Sequence, residues 1–199
     1  MFPEKLPNNP LNLFKDWFEL AKADENIKEP TAMSLATTNK ESIPSIRTVL
    51  LKSYDEKGFC FYTNLKSKKA QELLSNPYAS LCFYWIELDL QIRIDGTSSL
   101  IANEQADKYY STRPRESQIG AWASKQSQIM ESEEQFFADY NFYHDKFKDL
   151  EHIPRPKFWS GFCIKPYTFE FWQQGKQRLH KRYIYKLENN IWNIFQLYP

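Results

Sequence analysis

The sequence predicts an α+β protein that is mainly β, a small antiparallel barrel with helices packed outside it. Apolar stretches of strand length recur along the chain, and turn-forming runs such as Asp55-Glu56-Lys57-Gly58 set them close enough for hairpins. Interspersed segments carry apolar residues at three- and four-residue spacing, the period of a helix lying on a core. Aromatic residues make up 17% of the chain, enough to fill a β core.

The elements follow in order. Asn9-Pro10 caps a helix whose Leu11, Phe14, Trp17, Phe18 and Ala21 share one face. Strands are expected over 31–38, 45–54 and 58–63, with 55–58 as a hairpin loop. Ser67 opens a helix with Ala70, Leu73 and Leu74 inward, ending before Asn76-Pro77. Two strands follow, over 79–85 and 90–101. Asn103 caps a helix through Tyr109 and Tyr110 that stops at Arg113-Pro114. A longer aromatic-rich helix spans 131–150. After Ile153-Pro-Arg-Pro come strands over 158–165, 168–173, 182–187 and 191–196.

The 199 residues suit a single domain, 1–199, with an N-terminal helical region at 1–25 and a peripheral helix at 131–150. The balance of 26 basic and 25 acidic residues leaves a net charge of +1, so no general attraction to nucleic acid or membrane is expected. Cys60, Cys82 and Cys163 are widely separated in apolar runs, which reads as buried thiols in a reducing compartment and not as a metal site. The start lacks a signal-peptide apolar region, and no apolar stretch reaches membrane-spanning length. A soluble cytoplasmic protein is the expectation. The five glycines include no Gly-x-Gly or P-loop arrangement, so a bound phosphate must be held by side chains.

Two segments supply such side chains. Arg113-Pro-Arg-Glu-Ser117 packs two guanidiniums and a hydroxyl around a proline-stiffened turn, and Tyr109 precedes Arg113 by four residues. An unbroken helix would align Tyr109, Arg113 and Ser117; Pro114 predicts instead a helix end or turn on which the three still converge. A phenol, a guanidinium and a hydroxyl offer a phosphate several donor directions. In Arg178-Leu-His-Lys-Arg182, a strand would send Arg178, His180 and Arg182 out of one face. Together these describe a site for a small anionic ligand.

These segments belong to a set of ordered blocks: Arg47-Thr-Val-Leu-Leu-Lys52, Phe61-Tyr-Thr-Asn-Leu65 with Ser67-Lys-Lys-Ala70, Tyr109 through Gln126-Ser127, Phe171-Trp-Gln173 and Arg178-Leu-His180. In these blocks the chain resembles the pyridoxine (pyridoxamine) 5'-phosphate oxidases, over nearly its whole length. The resemblance implies an FMN-binding split β-barrel, a homodimer with FMN in a cleft between subunits, and oxidation of pyridoxamine or pyridoxine 5'-phosphate to pyridoxal 5'-phosphate. Oxygen would be the acceptor and hydrogen peroxide the co-product. Carried over by position, the FMN contacts are Arg47, Lys52, Tyr62, Thr63, Lys68, Lys69, Gln91, Gln126, Ser127, Trp172 and Arg182. The substrate contacts are Lys52, Tyr109, Arg113, Ser117, Arg178 and His180, with Arg178 and His180 against the reactive carbon as catalytic residues. No metal is implied.

Lys68 and Lys69 at a helix start suit a phosphate, although such pairs are more often a solvated face. A strand histidine is likewise more often structural; the arginines two residues to either side of His180 favour a role in the site. Arg47 and Lys52 have opposite parity, so a regular strand would part them; a bulge, a strand end near Lys52, or contacts to different parts of a long cofactor would each reconcile them. Departures from the family pattern are Lys68 for a common arginine, Ser160 and Gln174 for glycines, and Lys181 for an aspartate. Arg93, on the Gln91 face, is a further candidate cofactor or interface contact. Two other readings are a split-barrel flavin protein without oxidase turnover and a pyridoxal-phosphate carrier. The first needs no second phosphate site, and the second needs no block at Thr63 to Lys69.

Overall fold

The structure, a computed structural model, describes residues 1–199. Helix α1 (Pro10–Ala23) is followed by strands β1 (Ala32–Thr38), β2 (Pro44–Leu50), β3 (Ser53–Asp55) and β4 (Gly58–Asn64). Helix α2 (Lys68–Ser75), β5 (Tyr78–Trp85) and β6 (Leu90–Leu100) come next, then α3 (Asn103–Ser111), α4 (Arg115–Ala123) and α5 (Glu133–Phe147). The chain closes with β7 (Trp159–Gln173), β8 (Lys181–Glu188) and β9 (Ile191–Leu197). No helix is long and apolar enough to cross a membrane.

All nine strands form one antiparallel sheet in the order β2-β1-β5-β6-β7-β4-β3, with β8 and β9 continuing from β7. Only Leu51 and Lys52 link β2, at one end of that order, to β3 at the other. So short a link forces the ends together and closes the sheet into a barrel. The expected strand over 45–54 is therefore two strands, and its interruption falls at Lys52. This resolves the parity of Arg47 and Lys52: they do not share a strand.

Strand β7 is one strand where two were expected. Its first half pairs with β4 and its second with β8, along the same edge. Opposite the junction, the β6 register shifts between Asp95 and Gly96, leaving Tyr167 as the extra residue of a bulge. A bulge bends its strand, and here it lets β7 leave the barrel wall to carry β8 and β9. At Gly161 a β-carbon would collide with the Phe61 carbonyl, so glycine permits the close approach of β4 and β7.

The core forms because α1 lays its apolar stripe on the barrel. The Asn9 carboxamide accepts from the Leu11 amide at 3.0 Å, starting the helix, and Leu13, Phe14 and Trp17 are fully buried. Phe14 meets Phe59 and Phe83 edge-on, and Trp17 meets Phe171 at 88°. Each such ring contributes about 1.5–3 kcal/mol by burial. A second cluster of Tyr110, Ile119, Phe147, Ile153 and Trp159 holds α3, α4 and α5 on the sheet.

Three local expectations are corrected. Asn103 is inside α3; Ala102 is the cap residue, and the Asn103 side-chain Oδ1 accepts from Arg155 at 3.1 Å. The chain turns at Thr112-Arg113-Pro114 and starts a second helix, α4, that periodicity did not predict. Residues 178–181 do not extend the strand. Lys176–Arg178 is a 3-10 turn with Gln177 and Arg178 at φ 55° and 64°, and β8 begins only at Lys181. Arg178 and His180 thus project from a turn, not from the strand face that carries Arg182.

Candidate active site

The α3–α4 elbow faces the barrel across a cavity of about 470 Å³. Pro114 makes the elbow: it cannot donate a helical hydrogen bond, and it drives the residue before it away from helical geometry. Buried Gln118 then fixes the turn, donating to the Arg113 carbonyl at 2.9 Å, while its own carbonyl accepts from the Tyr110 hydroxyl at 2.7 Å. Burial pushes the Tyr110 phenol up to about 12, so this bond persists across the physiological range.

The elbow brings Tyr109, Arg113 and Ser117 to one cavity wall, as their spacing suggested. Arg113 lies on Trp159, its guanidinium carbon 4.8 Å from the ring centroid. Its Nη1 is buried without a hydrogen-bond partner, the one such side-chain nitrogen or oxygen in the protein. Burial lowers its pKa, and the Tyr110 and Tyr109 phenols oppose the shift. Arg115 does not join it. Its guanidinium turns outward to the Leu150 carbonyl at 3.0 Å and the Phe147 carbonyl at 2.5 Å, capping the end of α5. The expected pair of guanidiniums is therefore one.

Lys52, Thr63, Lys69 and Gln126 line the rest of the cavity, and Tyr62 lines it beside Tyr109. The Thr63 hydroxyl donates to the Gln126 side-chain Oε1 at 2.9 Å, and the Lys69 ammonium stands 3.4 Å from both oxygens. Burial lowers the Lys69 pKa, with Arg47 adding to the effect and Glu72 opposing it. Tyr62 stacks on Tyr109 with centroids 4.1 Å apart and on Trp159 at 5.3 Å, and burial raises its phenol pKa. No aspartate or glutamate lines this cavity, while Lys52, Lys69 and Arg113 do. Three cations around a partly enclosed space with no acid make a strong anion trap.

Arg47 stands behind Lys69. Its guanidinium donates to the Leu35 carbonyl at 3.2 Å, to the Thr37 and Ser45 hydroxyls, and to the Glu72 carboxylate at 3.1 Å. Burial pushes the Glu72 pKa up, but hydrogen bonds from Ser45, Thr37 and Arg47 outweigh it and hold it below the ordinary range. Lys68 points along the other side of α2, 3.9 Å from Glu72, and is exposed. Ser127, at φ 71°, lines the neighbouring groove beyond Gln126.

The remaining expected residues occupy a different face. Gln91, Trp172 and Arg182 are consecutive partners across β6, β7 and β8. Arg182 donates to Glu170 at 2.7 and 2.9 Å and to the Tyr198 carbonyl at 3.0 Å, while Arg93 reaches the same carboxylate at 3.3 Å. His180 packs against Trp172 with centroids 4.8 Å apart, and its Nδ1 accepts from the Gly175 amide at 3.2 Å. Arg178 is exposed on the adjoining turn. None of these lines the cavity of the same protomer.

Sequence reading missed Trp159, Asn64, Ser124 and Glu72. Trp159 lies under Arg113, and Asn64 ties the end of β4 to the end of α4 by donating to the Ser124 carbonyl at 3.2 Å. An aromatic in an apolar run reads as core, so Trp159 gave no signal. Glu72 gave no signal either: one and two residues from Leu73 and Ala70, it is off their helical spacing, yet it is buried on α2 while Leu74, expected inward, is exposed.

Residues 20–148 match the family described as pyridoxamine 5'-phosphate oxidase, and residues 159–199 match the pyridoxine 5'-phosphate oxidase C-terminal dimerisation region. The pyridoxine/pyridoxamine 5'-phosphate oxidase of Aliarcobacter butzleri is 46% identical over 195 residues, covering 98% of this chain and 91% of that protein. Its namesake in Wolbachia pipientis is 45% identical, covering 98% and 89%. The crystal structure of PhzG from Burkholderia lata, in complex with tetrahydrophenazine-1-carboxylic acid, superposes with a TM-score of 0.93 at 31% identity, covering 100% of this chain and 98% of that one. A pyridoxamine 5'-phosphate oxidase-related, FMN-binding protein of Nostoc punctiforme shares the fold, with a TM-score of 0.74 at 15% identity over 98% and 100% of the two chains. The chain belongs to the pyridoxamine 5'-phosphate oxidase family.

Proposed function

We propose that the protein binds FMN and oxidises pyridoxamine or pyridoxine 5'-phosphate to pyridoxal 5'-phosphate, with oxygen as acceptor and hydrogen peroxide as co-product. The observation that carries this reading is the cavity lined by three cations and no acid, one of them Arg113, whose Nη1 is buried without a hydrogen-bond partner. A buried guanidinium nitrogen without a partner costs stability, and an anion entering the cavity removes that cost.

The residues present fit two phosphates. Lys69, Thr63 and Gln126, with Arg47 behind them, form one grip beside the start of α2, which suits the FMN phosphate. Ser127 follows Gln126, and Lys68, exposed on the other side of α2, would have to swing round to join the grip. Arg113, Tyr109, Ser117 and Lys52 form the other, which suits the substrate phosphate. Bound flavin supplies the redox chemistry, accepting two electrons and returning them to oxygen. The chain positions: stacked Tyr62, Tyr109 and Trp159 make a flat wall, and Arg113 fixes the end of the substrate away from the reacting carbon.

In this reading the protein works as a homodimer of single-domain protomers, and the partner completes the site. Its Gln91–Trp172–Arg182 face would cover the flavin. Its Arg178 and His180 would lie against the reactive carbon, Arg178 orienting the ring substituents and His180 accepting a proton. The match of residues 159–199 to a dimerisation region supports it, as does the position of that face outside the cavity of its own protomer. The same reading places the protein in the cytoplasm, where its three free thiols would stay reduced at rest.

The test is anaerobic mixing of the flavin-loaded protein with pyridoxamine 5'-phosphate, followed by air. Bleaching of the flavin band, recovery in air and release of peroxide are expected. A flavin that binds but stays oxidised would favour a non-oxidase flavin protein. Bleaching by a tricyclic carboxylic acid but not by the phosphorylated amine would move the substrate toward the kind of molecule found in complex with the Burkholderia lata protein.

A further inference from the structure

Cys60 and Cys163 are direct cross-strand partners on β4 and β7, and their sulfurs are 2.6 Å apart as free thiols. The pair is of the non-hydrogen-bonded kind. The Cys60 carbonyl accepts from the Lys52 amide, just before β3, so its backbone groups face away from β7. In such pairs the Cα atoms approach to roughly 4.5 Å, within the span a disulfide bridges. Both thiols sit with Ile101 and Ala106 in a small apolar cluster that also contacts Tyr62. Cys60 shares a strand face with Tyr62, and Cys163 shares one with Trp159, so the pair adjoins the aromatic wall of the cavity.

We propose that Cys60 and Cys163 are a peroxide-reactive dithiol that closes reversibly into a cross-strand disulfide beside the active site. The Cys60 thiolate attacks one oxygen of hydrogen peroxide, the O–O bond breaks, and Cys60 sulfenic acid and hydroxide form. The Cys163 thiol then displaces hydroxide from that sulfur, giving the disulfide and water; two thiols are oxidised and one peroxide is reduced. The hydrogen bond from Cys163 lowers the Cys60 pKa, which burial opposes and the Ser53 hydroxyl assists, so Cys60 ionises first. Cys82 has no such neighbour, and burial raises its pKa. The proposal rests on the oxidase reading only for its source of peroxide; the thiol geometry stands without it.

The flavin-loaded protein, freed of reductant, is treated with hydrogen peroxide, alkylated and digested. A peptide linking Cys60 to Cys163, lighter by two hydrogens and reversed by dithiothreitol, is expected, with Cys82 still alkylated. The melting temperature should rise by roughly 5–15 °C on oxidation and return on reduction. Cys60→Ser and Cys163→Ser should each abolish the link and the shift, whereas Cys82→Ser should keep both. Thiols at 60 and 163 that remain alkylatable, or that gain oxygen without linking, would overturn the proposal. A parallel sample makes its own peroxide by turnover, with and without catalase. A link formed by added peroxide but not by turnover would count against the oxidase as the source and still uphold the dithiol.

Discussion

Arg113 rests on Trp159 with its guanidinium carbon 4.8 Å from the ring centroid and one nitrogen buried and unpaired. Stacking holds the cation in place while leaving its in-plane donors free. That is the arrangement a planar, bidentate anion site requires.

Arg113→Ala should raise the Michaelis constant for phosphorylated substrate about 10- to 100-fold, since each charge-assisted bond is worth about 1.5–3 kcal/mol. Flavin content should stay near the wild-type level. Steady-state kinetics with the visible-to-ultraviolet absorbance ratio checks both. Arg113→Met should also melt no lower than the wild type without ligand, because it removes an unsatisfied buried group.

Lys69→Gln should weaken FMN retention about 10-fold or more and leave the fold intact. The wild type adds a pH signature. The ammonium holds phosphate only when protonated, and burial together with Arg47 lowers its pKa from the ordinary 10.5. FMN affinity should therefore begin to fall on the alkaline side below that value, and Lys69→Gln should lack this component. Fluorescence titration of apoprotein with FMN across pH measures it.

Glu72→Gln should remove part of the acid sensitivity. The folded carboxyl titrates below its ordinary 4.5, so it stabilises the fold above that value and loses its contribution as pH falls through the lower folded pKa. The variant should be less stable at neutral pH, by about 1–3 kcal/mol given the burial of Glu72 and its partly buried Arg47 partner, and its stability should change less below 4.5. Urea unfolding at a series of pH values separates the two.

The barrel was legible where local signals were strong: the Asn9-Pro10 cap, the hairpin at 55–58, and the stop at Asn76-Pro77 each carry their own turn chemistry. It was illegible where closure decided. Nothing in residues 45–54 breaks a strand; the break at Lys52 is set by joining the two ends of the sheet. The Arg178–Arg182 run alternates like a strand, yet Gly175 leaves no room for a β-carbon against the Leu179 carbonyl, and the chain turns through two left-handed residues. Of the site, the Tyr109–Arg113–Ser117 wall could be read from spacing and Pro114. Arg115 could not be excluded from it, because only the packing of α5 shows which carbonyls it caps.

Arg178→Ala should lower turnover far more than flavin content; equal loss of both would make the residue structural. A mixing experiment tests whether it acts across the subunit boundary. At substrate far below the raised Michaelis constant, where Arg113→Ala turns over little, Arg113→Ala and Arg178→Ala proteins dissociated and reassociated together should regain about a quarter of wild-type activity, since half the dimers are mixed and one of their two sites is intact. No recovery would place both residues in one protomer's site.

The most direct measurement is a crystal structure of the flavin-loaded protein with pyridoxal 5'-phosphate. The phosphate of the ligand should lie within hydrogen-bond distance of Arg113 Nη1, Tyr109 and Ser117, with the FMN phosphate at Lys69 and Thr63. A ligand phosphate bound elsewhere, with Arg113 Nη1 still unpaired, would contradict the assignment of the cavity.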